Sequence, residues 1–169
     1  VVCNACSDGT ADVAARYPVT VHSIARAGVS HARNLGARAA VADLLLFVDA
    51  DVTIPPRLLA TISEATCSAR APIGTVRVRP DRRRYALHYH AAALLIPMAR
   101  AASNGLIFCA RDLFLDARGF PEELRVGEDN AFMNSARRLP GARYHFVRHP
   151  AAVSSTRRLQ QWGVIRLLA

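Results

Sequence analysis

Two carboxylates, Asp49 and Asp51, stand one residue apart directly after the short apolar run of the segment LLLFVDADV, residues 44–52. Alternate residues of an extended chain point the same way, so both side chains can face one ligand. Oxygen ligands arranged in this way suit Mg²⁺ or Mn²⁺, with a substrate diphosphate completing the coordination shell. The alternative is an acidic pair at a strand end that caps the next helix and binds nothing.

A second acidic pair, Glu128-Asp129, follows Gly127 where a helix is predicted to begin. The helix dipole alone favours carboxylates in a first turn, so a structural role for this pair stays open. A carboxylate held beside an acceptor hydroxyl could instead remove its proton as a general base. The two acidic pairs are therefore the first candidates for chemistry.

The elements that position these pairs follow from hydrophobic periodicity. The run before Asp49 has the length of a strand buried on both faces, which is typical of the middle of a mostly parallel sheet. Ligands of open α/β sheets bind beyond the carboxyl ends of such strands. Strand patterns at 1–2, 19–24, 44–48, 74–78, 105–110 and 144–148 alternate with helical patterns at 7–17, 30–41, 55–69, 81–103 and 128–139. This alternation predicts an α/β layered fold.

Length and composition narrow the class of protein. The 169 residues predict one domain, and the net charge of +9 comes from 22 basic residues that are all Arg. No recognition motif accompanies this charge, so we expect no nucleic-acid partner. A basic face could serve an anionic membrane or a phosphorylated substrate. No signal peptide or membrane-spanning run is visible, which predicts a cytoplasmic protein, at most in peripheral contact with the inner face of the membrane.

With these residues in view, the chain resembles family 2 glycosyltransferases, the inverting, nucleotide-sugar-dependent group with the GT-A fold. The matching segments follow one another in the family's order, although each motif alone is weak. They are residues 3–10, Gly28 with residues 32–36, residues 49–51, Gly119-Phe120, residues 127–129 and Ser155 with Arg157-Arg158. The resemblance implies a Rossmann-like α/β/α sandwich with a mostly parallel central sheet that lacks the family's first strand and helix.

The resemblance also implies roles for individual residues. Asp129 would be the general base and Glu128 would orient the acceptor. Asp51, with Asp49, would bind Mn²⁺ or Mg²⁺, and His149 is a candidate third ligand. The residues that would contact the nucleotide-sugar donor are Asn4, Asp8, Arg33, Asp49 and Gly105. One departure concerns Cys3, which stands where the family has an Asp that contacts the nucleobase.

The implied partners are a nucleotide-sugar donor and a saccharide or lipid-linked acceptor, as in the synthesis of a cell-envelope polysaccharide. Residues 1–52 would form the nucleotide-binding half of the domain and residues 53–169 the acceptor-side half. The sequence does not indicate an oligomeric state. The long segment 81–103 could face the acceptor or a membrane, although a plain helix packed on the sheet is the simpler interpretation.

Two alternatives stay open at this point. Residues 44–53 also fit the D-x-D-x-[TV] motif of haloacid-dehalogenase-like phosphatases, in which Asp49 would be the nucleophile and Asp51 the acid/base. Such enzymes normally also use a Lys, and this chain contains none. The other alternative is a nucleotide-binding remnant of the glycosyltransferase fold that no longer catalyses transfer.

Overall fold

The computed structural model of the protein describes residues 1–100, 105–157 and 160. The strands within these residues are β1 Val2–Asn4, β2 His22–Ile24, β3 Leu44–Val48, β4 Val52–Thr53, β5 Ala71–Pro80, β6 Leu106–Ala110 and β7 Ala142–Ser154. The helices are α1 Thr10–Ala14, α2 Val29–Ala39, α3 Leu58–Thr66, α4 Ala86–Ala99, α5 Arg111–Asp116 and α6 Glu128–Ala136. The predicted alternation of strands and helices is confirmed.

The strands form two sheets whose pairing differs from the prediction. Strands β1 and β2 form a parallel pair, and the larger sheet has the order β3-β6-β5-β7-β4. In the larger sheet only β5 and β7 pair in parallel, while β3 with β6, β5 with β6 and β4 with β7 are antiparallel. The α/β class is confirmed, but the expectation of a mostly parallel sheet is wrong because the sheet is mixed.

Strand β3 lies at one end of the larger sheet, not in its middle. Its apolar run is nevertheless covered on both faces, because Leu45 packs into one hydrophobic cluster while Leu44 and Leu46 pack against the other. Helix packing on both faces produces the same apolar run in an edge strand and in a central one. A continuous apolar run therefore indicates that both faces of the strand are covered. It does not indicate whether the neighbouring strands are parallel or antiparallel.

The core consists of two clusters on opposite faces of the larger sheet. On β6, Ile107 and Cys109 point into one cluster while Leu106 and Phe108 point into the other, as the period of two requires. The first cluster takes residues from α2, α5 and α6, and the second takes residues from α3, with Tyr89 of α4 packed against it. Helices on both faces make this an α/β/α sandwich, as predicted.

Four aromatic rings form the centre of the first cluster, and the ring centroid of Phe47 lies 4.9 to 6.4 Å from those of the other three. Ring centroids are 4.9 Å apart for Phe47 and Phe120 and 4.3 Å apart for Phe120 and Phe132, and Phe114 completes the group. Aromatic side chains contribute large apolar areas, and such pairs add stability beyond the area they bury. This cluster joins the end of β3 to the turn before α6, the two places where the acidic pairs lie.

Several element boundaries differ from the prediction. The predicted strand before the first acidic pair ends at Val48, and the structure adds a short strand, β4, after the turn that carries this pair. Pro97 lies within the last turn of α4 and does not end the helix there. Strand β7 is much longer than predicted, because a register shift opposite Val76 and Val78 of β5 accommodates the segment that contains Pro150.

The sequence after Thr156 also predicts an amphipathic segment that runs to Ala169. This segment lies mostly outside the described residues, as do Arg158 and residues 101–103 of the predicted long helix. Among the described residues, no helix combines the length and the apolar character that crossing a bilayer requires.

Candidate active site

One guanidinium group, that of Arg33, contacts three carboxylates from distant parts of the chain. Its Nη2 donates to Asp49 Oδ1 at 2.7 Å, and its Nη1 donates to Glu128 Oε1 at 3.0 Å and to Asp129 Oδ1. The Arg33 side chain retains 13% of its exposed area. Residues from both predicted halves of the domain therefore meet in one cluster, which we call the Arg33 cluster (Arg33, Asp49, Glu128 and Asp129).

Arg33 is held in place by the residue that follows it and by an aromatic ring. Asn34 is buried, donates through Nδ2 to Phe120 O and Glu122 Oε1, and accepts the Phe120 N–H through Oδ1. The ring of Phe120 then lies 5.2 Å from the centre of the Arg33 guanidinium, within the range of a cation–π contact. These contacts attach α2 to the turn before α6.

The first carboxylate is positioned by the exit from β3. The Asp49 N–H donates to Gly105 O at 2.9 Å, and the Asp49 carbonyl accepts the Val52 N–H at 3.0 Å. Gly105 has φ of +92°, and a Cβ at this position would lie 2.5 Å from Val52 Cγ2 and 3.7 Å from Asp49 Oδ2. The close approach at Gly105 is therefore to the Asp49 turn, and a contact of Gly105 with the donor sugar stays a prediction.

The second pair is positioned by the start of α6. Gly127 precedes this helix with φ of +80°, a conformation that glycine adopts without steric cost. Glu128 and Asp129 occupy the first turn, where the helix dipole favours negative charge. Their side chains are 16% and 23% exposed, so both carboxylates are largely withdrawn from water.

Burial dominates the electrostatics of this cluster. The pKa of Asp129 is raised to about 6, because burial and the charges of Glu128 and Asp49 together outweigh the lowering by the Arg33 guanidinium. Burial disfavours the charged form of Arg33, yet attraction to the carboxylates, that of Asp129 first, outweighs this and raises its pKa above the ordinary value. Arg33 therefore stays charged, and Asp129 titrates close to neutral pH.

Asp51 lies in the turn between β3 and β4, where its carbonyl oxygen accepts the Ser155 N–H at 2.9 Å. The following residue, Thr156, is buried and donates its N–H and hydroxyl to Asp81 Oδ1 at 3.1 and 2.6 Å. This hydrogen bonding holds the end of β7 beside Asp51. The motif residues Asp51 and Ser155 are thus brought together.

The carboxylates of Asp49 and Asp51 have the hard oxygen atoms that Mg²⁺ and Mn²⁺ prefer. Within the described residues, no group of three His, Cys, Asp or Glu side chains could hold a metal ion. Two carboxylates leave the coordination shell of such a cation incomplete, so a cation held by Asp49 and Asp51 would need further oxygen ligands.

His149 is exposed and lies in the part of β7 where the register shifts, between Val147 and Ala152, which pair with Val76 and Val78 of β5. The expectation that His149 is a metal ligand rested on its position along the chain, and it stays a prediction.

Asn4 and Asp8, the other two residues predicted to contact the donor, lie at the end of β1 and just before α1. Asn4 Oδ1 accepts the Gly28 N–H at 2.9 Å, which fixes the loop before α2. Asp8 accepts the N–H and the hydroxyl of Thr10 at 3.1 and 2.5 Å, and these hydrogen bonds lower the pKa of its carboxyl. Cys3 is buried, so the residue at the family's nucleobase position does not present a polar group to a ligand.

Sequence reasoning missed the positioning residues Asn34, Phe120 and Glu122. Asn34 and Phe120 belong to recognised motifs, but a sequence motif does not show which residues its members contact. Glu122 accepts from Asn34 and also lies 3.2 Å from His31 Nδ1. Its position two residues after Phe120 was the only available signal.

Residues 1–122 match the family described as glycosyl transferase family 2. The structure is similar to a crystal structure of residues 1–349 of TarS from S. aureus, with a TM-score of 0.72 and 20% identity over 99% of this chain and 53% of that chain. A TarS structure in complex with UDP-GlcNAc gives a TM-score of 0.72 and 20% identity, covering 93% of this chain and 49% of that chain.

A mannosyltransferase from Pyrobaculum calidifontis, in complex with GDP-Man and Mn²⁺, gives a TM-score of 0.67 and 21% identity, covering 91% of this chain and 46% of that chain. No curated protein sequence gives a significant match. The chain thus spans about half the length of these solved structures and has the GT-A fold that they share. Because the family match covers well over half of the residues, the chain belongs to glycosyl transferase family 2.

Proposed function

We propose that this chain carries the donor-binding and catalytic centre of a metal-dependent, inverting glycosyltransferase. The observation that supports this most strongly is the Arg33 cluster. Two acidic motifs that are separate in sequence converge on the guanidinium of a third motif, and Asp129 lies 96 residues from Arg33. Such convergence is expected of a catalytic site and is not required by helix capping.

Asp129 is the proposed general base. Its raised pKa of about 6 makes it ionised near neutral pH and still basic enough to accept a proton. It takes the proton of the acceptor hydroxyl while that oxygen bonds to the anomeric carbon of the sugar. The bond from this carbon to the donor phosphate breaks on the opposite side, and the nucleoside diphosphate leaves with the electron pair. The configuration at the anomeric carbon is inverted.

Asp51 and Asp49 are the proposed holders of Mg²⁺ or Mn²⁺, which would neutralise negative charge on the departing diphosphate. Arg33 keeps the carboxylates of the Arg33 cluster together before donor binding, and its guanidinium suits the diphosphate afterwards. Glu128, which shares Arg33 with Asp129, would orient the acceptor. Asn4 and Asp8 are proposed to lie on the nucleoside side, and Gly105 beside the donor sugar.

The donor is proposed to be a nucleotide-sugar, because two of the similar structures hold UDP-GlcNAc and GDP-Man. The acceptor is proposed to be a saccharide or lipid-linked hydroxyl, as in cell-envelope polysaccharide synthesis. We place the reaction on the cytoplasmic side of the membrane, where nucleotide-sugars would be supplied. The family match removes support from the phosphatase alternative.

A thermal-shift panel tests donor binding by this chain. UDP, GDP and dTDP are each added with Mn²⁺, Mg²⁺ or EDTA, and we expect one nucleotide to raise the melting temperature only when metal is present. Asp51→Ala should abolish this shift, while Asp116→Ala, which removes an exposed carboxylate on α5, should retain it. A shift that persists in Asp51→Ala or in EDTA contradicts the metal role of Asp51.

Transfer is tested separately with the matching nucleotide-sugar and a panel of acceptors. Asp129→Asn should keep the thermal shift and lose transfer by about 10²-fold or more, since general-base catalysis contributes on this scale. Asp116→Asn is the matched control and should be as active as the unchanged chain. Nucleotide binding without any transfer by the unchanged chain would favour the non-catalytic remnant.

A further inference from the structure

Helix α4 (Ala86–Ala99) has apolar side chains on all sides, and only one side is covered. Tyr89, Ala92, Ala93 and Ile96 line a narrow space against β5 and Phe146 of β7. Their spacing of three and four residues places them on one face of the helix. This inner face explains why α4 packs on the sheet.

The outer face is apolar as well. Leu87, Leu94, Leu95 and Met98 are exposed by 78%, 64%, 63% and 81%. Leu87, Leu94 and Met98 form one stripe with Ala91, because they are separated by three or four residues. Other strongly exposed apolar residues, such as Val41 and Val126, lie in loops. A contiguous exposed stripe marks an interaction site, whereas scattered residues do not.

Positive charge surrounds this stripe. Arg82, Arg83 and Arg84 are exposed before α4, and Arg100 is exposed after it. The segment from 82 to 100 contains no Asp or Glu. The Arg137 side chain adds a further cation at the helix end, where its Nη1 donates to the carbonyl oxygens of Ala99 and Arg100 at 3.2 and 2.9 Å.

We propose that the outer face of α4 docks the protein onto an anionic phospholipid bilayer. Leu87, Leu94 and Met98 would enter the boundary between headgroups and acyl chains, and the arginines would contact lipid phosphates. The 14 residues of α4 span about 21 Å, which is too short to cross a bilayer but sufficient to lie in its interface.

The charge favours a lipid surface over a second copy of this chain. Two α4 helices packed together would bring Arg82–Arg84 or Arg100 of both copies close to one another in a chain with a net charge of +9. An anionic bilayer instead attracts each of the arginines that surround the exposed stripe of α4. The Arg100 end of this surface lies within about 18 Å of Gly105, whose carbonyl oxygen accepts the Asp49 N–H, because Arg100 precedes Gly105 by five residues. The inference does not depend on glycosyl transfer.

Vesicle co-sedimentation tests the proposal. The full chain is mixed with phosphatidylcholine vesicles that contain or lack phosphatidylglycerol, at low and at high salt. We expect binding to the anionic vesicles, weakened by salt. Replacing Arg82, Arg83 and Arg84 by Ala should weaken it about a hundredfold, since each arginine near the surface adds about 1 kcal/mol. Leu87→Glu with Leu94→Glu should weaken it at least about tenfold.

Matched controls separate this surface from general charge and hydrophobicity. Val41→Glu with Val126→Glu changes two side chains that are 95% and 87% exposed, and should bind much more tightly than the Leu87→Glu, Leu94→Glu pair. Replacing the exposed Arg16, Arg26 and Arg70 by Ala removes the same charge elsewhere. Unchanged melting temperatures would show that all variants fold. Equal binding to both vesicle types, or equal loss in the α4 and control variants, overturns the proposal. The proposal is also overturned if the protein does not bind anionic vesicles and forms a dimer in solution that Leu94→Glu dissociates.

Discussion

Asn34 and Phe120 are joined by two hydrogen bonds, from Asn34 Nδ2 to the Phe120 carbonyl at 2.9 Å and from the Phe120 N–H to Asn34 Oδ1 at 2.8 Å. Both residues are buried, and they are 86 residues apart in sequence. The pair connects α2 to the turn before α6. Since Arg33 precedes Asn34 and rests over the Phe120 ring, the same contact positions the candidate active site.

The first prediction concerns this connection. Asn34→Ala removes both bonds and leaves the Phe120 N–H and carbonyl buried without partners, so we expect a loss of about 3 kcal/mol in unfolding free energy. Asn134→Ala on the exposed side of α6 is the control and should change stability by less than about 0.5 kcal/mol. Urea denaturation measures both. Equal stability of the two variants would contradict a structural role for Asn34.

The second prediction concerns Gly105, whose φ is +92° and whose added Cβ would lie 2.5 Å from Val52 Cγ2. Gly105→Ala should cost about 2–4 kcal/mol, from backbone strain and from displacement of the Asp49 turn. Gly127→Ala should cost about 1 kcal/mol of stability from backbone strain alone, because nothing lies within 4 Å of its added Cβ. Gly9→Ala has open space and ordinary φ, so its urea midpoint should stay unchanged. A Gly105→Ala variant no less stable than Gly127→Ala would remove the steric argument.

The third prediction concerns the charge interaction within the Arg33 cluster. The pKa of Asp129 is raised to about 6, chiefly by burial, even though the Arg33 guanidinium lowers it. Arg33→Ala should therefore raise the pKa of Asp129 further, to roughly 7 or higher. Arg38→Ala changes an exposed arginine on the same helix and should leave it near 6. Carbon-13 NMR titration of the carboxyl group in EDTA measures both values, and a fall in Arg33→Ala would contradict the ion pair.

The fourth prediction concerns stability as a function of pH. The pKa of Asp129 rises from 3.8 to about 6 on folding, so the folded state binds this proton more tightly than the unfolded chain. The resulting stabilisation is fully present below about pH 4 and is lost as pH rises through about 6. The unfolding free energy of the unchanged chain should then fall by about 3 kcal/mol relative to that of Asp129→Asn.

Because Asp8, Asp81 and Glu122 have lowered pKa values and act in the opposite direction, only the difference between two variants isolates this effect. Denaturation of the unchanged chain and of Asp129→Asn from about pH 4 to pH 8 supplies that difference. Asp116→Asn provides the baseline for an exposed carboxylate. Stability curves for the unchanged chain and Asp129→Asn that run parallel across this range would show that folding does not perturb Asp129.

Much of the fold was predictable because local patterns report local structure. The helix that begins at Glu128 and the strand that begins at Leu44 start where their sequence patterns predict. The order of strands in the sheet was not predictable, because β3 pairs with β6, some sixty residues later, through backbone atoms that every residue shares. The length of β7 was missed because its pairing with β5 overrides the polar residues and the proline in its own sequence.

By itself the sequence determined the α/β class, the family and the identity of the two acidic pairs, since these depend on residue types at short spacing. Only the tertiary structure decided which of those residues meet. Arg33 joins Asp49, Glu128 and Asp129, while Cys3 is buried. The physical reason is that a charge cluster depends on distances through space, and these are set by how α2 and α6 pack on a shared aromatic core.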